Sequence, residues 1–142
     1  MTIVLIVHLL AVGVWIGVVG AEWVIERDGT ASPEANLRAA SMHAVTDRWI
    51  ELPALLVILA TGLLMLHERH FEGLFLYKLI FAMLAILFNL ICVYAVFKRK
   101  ECLQIDDAKG LARAGRYMLI SAGVIPSFIL AIGLGIYIAG TG

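Results

Sequence analysis

The chain is predicted to be all-α, an integral membrane four-helix bundle, and three observations carry that prediction. The composition is 62% hydrophobic and only 15% charged over 142 residues, with a mean hydropathy of +0.96. No soluble domain of this size hides so much apolar surface, so lipid must solvate most of it. Four apolar stretches are each long enough to cross a bilayer, and none shows the alternation of a barrel strand. The basic residues, finally, collect in alternate connections. Residues 1–142 are read as a single transmembrane domain.

The first stretch runs over about Ile3–Ile25. It lacks a basic n-region and is too long for the apolar part of a signal peptide, so the expectation is a retained first span. The second covers Ile50–Leu66, which is short. Ser32-Pro33-Glu34, however, has the form of a helix start with proline in the first turn. Helix two is therefore predicted to begin there and to enter the membrane near Val45, giving a span of about 45–66. The third stretch is Leu74–Phe97 and the fourth Tyr117–Ala139, where Pro126 should kink the helix and free a carbonyl.

With four spans, the first and third connections share a side. That side carries Arg27, Arg38, Arg48, Lys98, Arg99, Lys100, Lys109, Arg113 and Arg116, against Arg69 and Lys78 on the other. The positive-inside bias makes the basic side cytoplasmic and both termini non-cytoplasmic, in a multi-pass protein of the cytoplasmic (inner) membrane. Topology accounts for these bases, so no nucleic-acid partner is implied. Cys92 and Cys102 form neither a disulfide framework nor a CxxC motif. No Ser/His/Asp arrangement, phosphate loop or nucleotide fingerprint occurs.

Function must then lie in the ionisable residues placed in or beside the spans, because charge in hydrocarbon is costly and such groups face a bundle interior. His8, Trp15 and Glu22 are seven residues apart and drift only about 20° per step, so they share one face of helix one. Gly13, Gly17, Gly20 and Ala21 lie on other faces and permit close helix approach. Helix two offers His43, Asp47 and Glu51 at successive four-residue spacing, an arc of about 80° on a regular helix. They fall at the end where Glu22 and Glu26 must also be. An imidazole among carboxylates inside a bundle is the composition of a transition-metal or proton site, with Glu22, His43, Asp47 and Glu51 as ligands. The alternative is that His43 and Asp47 are interfacial, with Asp47 paired to Arg48 or Arg38.

At the opposite end stand His8, His67, His70 and Lys78. Neutral imidazole is the commonest axial ligand of haem, which makes haem b held through His8 a candidate. On a straight helix His67 projects about 160° away from Glu51, and His70 belongs to the outer connection. Lys78 either snorkels to the headgroups or supplies a cation to a carboxylate such as a haem propionate. Asn89, mid-span on helix three, is expected to make an interhelical hydrogen bond. Trp23 and Trp49 read as interfacial anchors.

These residues together resemble the small four-helix haem proteins of the HemJ-type protoporphyrinogen oxidase family and the related CopD-like membrane domains. His8 followed by six residues and Trp15, Pro53 nine residues before Gly62-Leu63, and Gly73 five residues before Lys78-Leu79 are similar to that family's first three spans. In the fourth, Gly123-Val124-Ile125 stands before Pro126 in place of the family's Asn-Glu pair. The resemblance implies that His8 and Lys78 are haem-associated residues; the CopD-like side implies copper handling.

The leading expectation is a haem b protein passing electrons between a membrane or periplasmic donor and an acceptor, with quinone, porphyrin or a periplasmic redox protein as partner. If it is an enzyme, it is a membrane oxidoreductase. The alternative is a protein that binds or transports copper, zinc or iron through Glu22, His43, Asp47 and Glu51. A third reading is a structural subunit of a homo-oligomer or larger membrane complex.

Overall fold

The computed structural model describes residues 2–29, 31–66 and 73–141. It is all-α: α1 (Thr2–Asp28), α2 (Pro33–Thr46), a π-turn (Asp47–Glu51), α3 (Leu52–Leu66), α4 (Gly73–Gln104), α5 (Ala108–Ser121) and α6 (Val124–Thr141). These join into four rods, because α2, the π-turn and α3 are continuous, as are α5 and α6 across a short break. Each rod is long and apolar enough to cross a membrane, and a helix satisfies its own backbone in lipid. The protein is a multi-pass membrane four-helix bundle. His67 and His70 lie outside the described residues.

Local chemistry sets the helix ends. Ser32 caps α2, its hydroxyl accepting from the Ala35 N–H at 3.1 Å, with Pro33 in the first turn. Asp107 caps α5 in the same way, accepting from the Gly110 N–H at 3.0 Å. The second and fourth rods are 34 residues long, about 50 Å, against a hydrocarbon core of about 30 Å. The excess projects at the end formed by the α1–α2 and α4–α5 connections, which are joined there by hydrogen bonds from Arg99 to Asn36. The basic residues assigned to one side by the sequence therefore share one end of the bundle.

Two irregularities follow from proline. Pro53 cannot donate to the carbonyl of Trp49, and the helix widens just before it: the Leu52 N–H bonds to the Asp47 carbonyl five residues back. Pro126 cannot reach the Ala122 carbonyl, which accepts instead from the Ile125 N–H at 3.3 Å. The break expected at Pro126 accordingly falls at Ala122–Gly123. The Phe88 ring packs where a Gly123 side chain would be, leaving only 2.8 Å to a Cβ there.

Packing runs α1 against α2–α3, α4 against α5–α6, and α2 against α4. At the centre, Trp15, Ala54, Leu55 and Ala85 form a buried cluster flanked by Val19, Ile58, Ile86, Val124 and Phe128. Trp15 meets Phe128 edge to face at 4.9 Å, and its indole Nε1–H points at Glu51 Oε1 and Asn89 Oδ1, 3.0 Å from each. One side chain of the first rod thus touches the other three. Gly13, Gly17 and Gly20 have no atom within 4 Å of where a side chain would be, so the close approach that they permit is not used within this chain. Trp23 and Trp49 are 67% and 72% exposed, as interfacial anchors should be.

Trp15→Phe keeps the ring and removes the N–H, leaving two buried acceptors without a donor. The expected loss is about 1–3 kcal/mol, above the roughly 0.6 kcal/mol average for interhelical bonds in membranes, because one donor serves both groups. Reversible unfolding in mixed micelles measures it; a variant as stable as the parent would contradict the assignment.

Candidate metal centre

Glu22, His43 and Asp47 converge at the basic end of the bundle interior. Each is buried, and each offers a ligand atom within 4.8 Å of the other two. Helix one brings Glu22 through the stripe it shares with Trp15. Helix two brings His43 in its last turn and Asp47 at the first position of the π-turn. His43 Nε2 is 3.4 Å from Glu22 Oε2 and 3.6 Å from Asp47 Oδ1. Donors held about 2.0–2.2 Å from a tetrahedral zinc ion are about 3.3–3.6 Å from one another, so these two ion-pair spacings are also ones that a metal ion could bridge.

The surrounding groups fix the roles within the cluster. Glu26 Oε1 lies 2.8 Å from His43 Nδ1, and Glu26 Oε2 accepts from Arg99 Nη1. A carboxylate held by a guanidinium can only accept, so the Nδ1–H of His43 is the donor. That leaves Nε2 facing Glu22 and Asp47. Arg99 is positioned in turn by Asn36 Oδ1, which accepts from Nε at 3.1 Å and from Nη2 at 2.7 Å. The Thr46 hydroxyl, 2.7 Å from Glu22 Oε1 and 2.8 Å from the His43 carbonyl, donates between them. A carboxylate behind the imidazole, itself anchored, is the second layer common to metal-bound histidines.

Asp47 is the anomaly. It is 0% exposed, yet neither carboxylate oxygen has a hydrogen-bond partner among the described residues. Buried carboxylates are ordinarily paired, hydrogen-bonded or bound to metal. Here the π-turn matters. Four residues drift about 40° on a regular helix, whereas the wider turn takes up that drift and stacks Asp47 and Glu51 on one face. Both are buried. Glu51 stands one step deeper than the three convergent residues, tied to Trp15. Asn89 receives the same indole proton on Oδ1, so its amide orientation is set and Nδ2 is left without a partner among the described residues. His43 and Asp47 are both buried within the bundle, and no ion pair joins Asp47 to Arg38 or Arg48 among the described residues.

The outer-end candidates are separate. Thr61 donates its hydroxyl to the Val57 and Ile58 carbonyls, so it must accept from His8 Nδ1–H at 2.8 Å. That tautomer leaves Nε2 as a lone pair with no hydrogen-bond partner among the described residues. Gly62 leaves space beside the ring, a Cβ there standing 3.7 Å from His8 Cε1. Lys78 lies with its stem against Gly135 and its ammonium 5.8 Å from the Phe75 ring centroid. The apolar cluster around Trp15 stands between this end and the metal-ligand group.

Of the predicted ligands Glu22, His43, Asp47 and Glu51, the structure brings the first three within ligand range of one another; the sequence placed Glu26 at that end and Arg99 among the topological bases, and gave no role to Asn36, Thr46 or Thr61. Only Glu26 carried a signal, lying four residues after Glu22 on the same helix face. Comparison of the chain with protein-family models, with curated proteins and with solved structures gives no match.

Asp47→Asn is expected to stabilise the metal-free protein, because it replaces one of several crowded buried carboxyl groups by a neutral amide of the same shape, which can donate to Glu51. Thermal unfolding in detergent after chelation should show a higher midpoint than the parent; a lower one would mean that the carboxylate is paired in the metal-free state.

Proposed function

We propose that this protein is a membrane metal-ion protein that binds one divalent transition metal through Glu22, His43 and Asp47. The observation that carries this reading is Asp47, fully buried with neither oxygen hydrogen-bonded to a donor among the described residues, and in ion-pair range of a histidine nitrogen that also faces a second carboxylate. A divalent ion would neutralise the two first carboxylates and satisfy all three ligand atoms at once. One imidazole with two carboxylates suits zinc or iron(II) better than a purely oxygen-loving ion. The relay from Asn36 through Arg99 and Glu26 holds the imidazole in the tautomer that a metal needs.

Metal analysis of protein purified without chelator should return about one zinc, iron or copper per chain, and added metal should raise the thermal midpoint of the chelated protein. Asp47→Ala and Glu22→Ala should abolish the retained metal, while Glu26→Gln, which acts through His43, should weaken affinity by about 10–100-fold. Metal content unaffected by Asp47→Ala defeats the assignment.

A second reading, haem b at the outer end, is favoured by one observation: the His8 tautomer fixed by Thr61, which leaves Nε2 without a hydrogen-bond partner among the described residues. It agrees with the resemblance to HemJ-type proteins. Under this reading, a reduced-minus-oxidised spectrum should show a Soret and α-band change that His8→Ala removes. Zinc or iron without porphyrin leaves the first reading alone.

A further inference from the structure

We infer that the metal centre loads from the basic end of the bundle, with Glu26 as its entry ligand and Arg99 as a resident counter-ion that a cation must displace. This inference rests on the metal reading above and adds the route and the rate control. The first observation is the gradient of exposure. The side chain of Glu26 is 22% exposed, whereas those of Glu22, His43 and Asp47 are 6%, 5% and 1%. Among the residues of this cluster, Glu26 alone reaches appreciably beyond the interior while also touching the ligand set, through His43 Nδ1 at 2.8 Å.

The second observation is the division of labour on the Glu26 carboxylate. Its inner oxygen, Oε1, holds the imidazole; its outer oxygen, Oε2, is occupied by the Arg99 guanidinium. Arg99 therefore stands where an arriving cation would first find a free carboxylate oxygen. It is not a loose surface charge. Asn36 grips both Nε and Nη2, and Met118 Sδ lies 3.8 Å from Nη1. These contacts draw on α2, α4 and α5, so the guanidinium is held at the point where three rods meet. Approach from the opposite end is blocked by the apolar cluster of Trp15, Leu55 and Phe128.

An aquated divalent cation arriving at the basic end would exchange one water for Glu26 Oε2 as Arg99 leaves it. It would then pass inward to Glu22, His43 and Asp47, and Arg99 would close again on Glu26. The guanidinium and the cation cannot share Oε2, and Arg99 is held by Glu26 and Asn36, so release of the guanidinium is the slow event. Arg99 is a positioning residue that governs exchange kinetics, not a ligand.

Stopped-flow absorption of Co²⁺ uptake by chelated protein in detergent, followed by Co²⁺ release to EDTA, tests this. Arg99→Gln should speed both uptake and release about tenfold, the equivalent of losing one charge-assisted hydrogen bond. Arg99→Lys should stay close to the parent rate. Asn36→Ala, which changes no charge, should accelerate exchange to an intermediate degree and decides the matter if Arg99→Gln does not fold. Glu26→Gln should slow the initial uptake. Unchanged or slower uptake in both Arg99→Gln and Asn36→Ala, with Co²⁺ still bound at equilibrium, overturns the inference and leaves the metal reading standing. No Co²⁺ bound by the parent protein overturns both.

Discussion

The indole N–H of Trp15 is the single contact on which the rest of the interior depends. It donates to a carboxylate on the second rod and to an amide on the third, while its ring packs on Phe128 of the fourth. In lipid there is little hydrophobic force between helices, so packing and interhelical hydrogen bonds must define how they sit. This one group sets the depth of Glu51 beside Asp47 and the orientation of the Asn89 amide. The polar cluster is built outward from it toward the basic end, and the apolar cluster lies on its other side.

Buried acids are a liability in such a bundle, and most of those present are satisfied. Glu22 has Thr46, Glu26 has Arg99 and His43, and Glu51 has Trp15. Asp47 is the exception, and it sits at the first residue of the π-turn. Wide turns of this kind recur at functional sites, since they break helix regularity to place a side chain that a plain helix would misdirect. Local rules are broken here by both the backbone and the side chain. Pro53 accounts for the backbone irregularity, and the unsatisfied side chain is what the metal-ion proposal rests on.

The polar groups also divide by end. Glu22, His43, Asp47 and Glu51 with their supports belong to the basic end, and His8, Thr61 and Lys78 to the other. Ala54, Leu55, Ile58, Ala85 and Ile86 fill the level between them. A buried carboxylate-rich cluster and an imidazole hydrogen-bonded to a threonine are different chemistries, and the bundle keeps them apart.

Hydropathy and charge placement alone determined four spans, their approximate limits and the shared end of the basic connections, because length and transfer free energy are properties of residues taken one after another. The seven-residue stripe likewise put His8, Trp15 and Glu22 on one face, since helical periodicity is local. What only the tertiary structure decided was partnership. Arg99 reads in sequence as one more topological base, yet its guanidinium reaches back 73 positions to Glu26. Thr46 and Thr61 look like neutral helix residues until the acid and imidazole that they orient are seen across the interface. The π-turn, too, escaped a reading based on 3.6 residues per turn; that is why Glu51 was placed on an arc away from Asp47 rather than stacked behind it. Periodicity fixes which way a side chain points from its own helix, but the atom that it meets depends on how four helices are rotated and raised against one another.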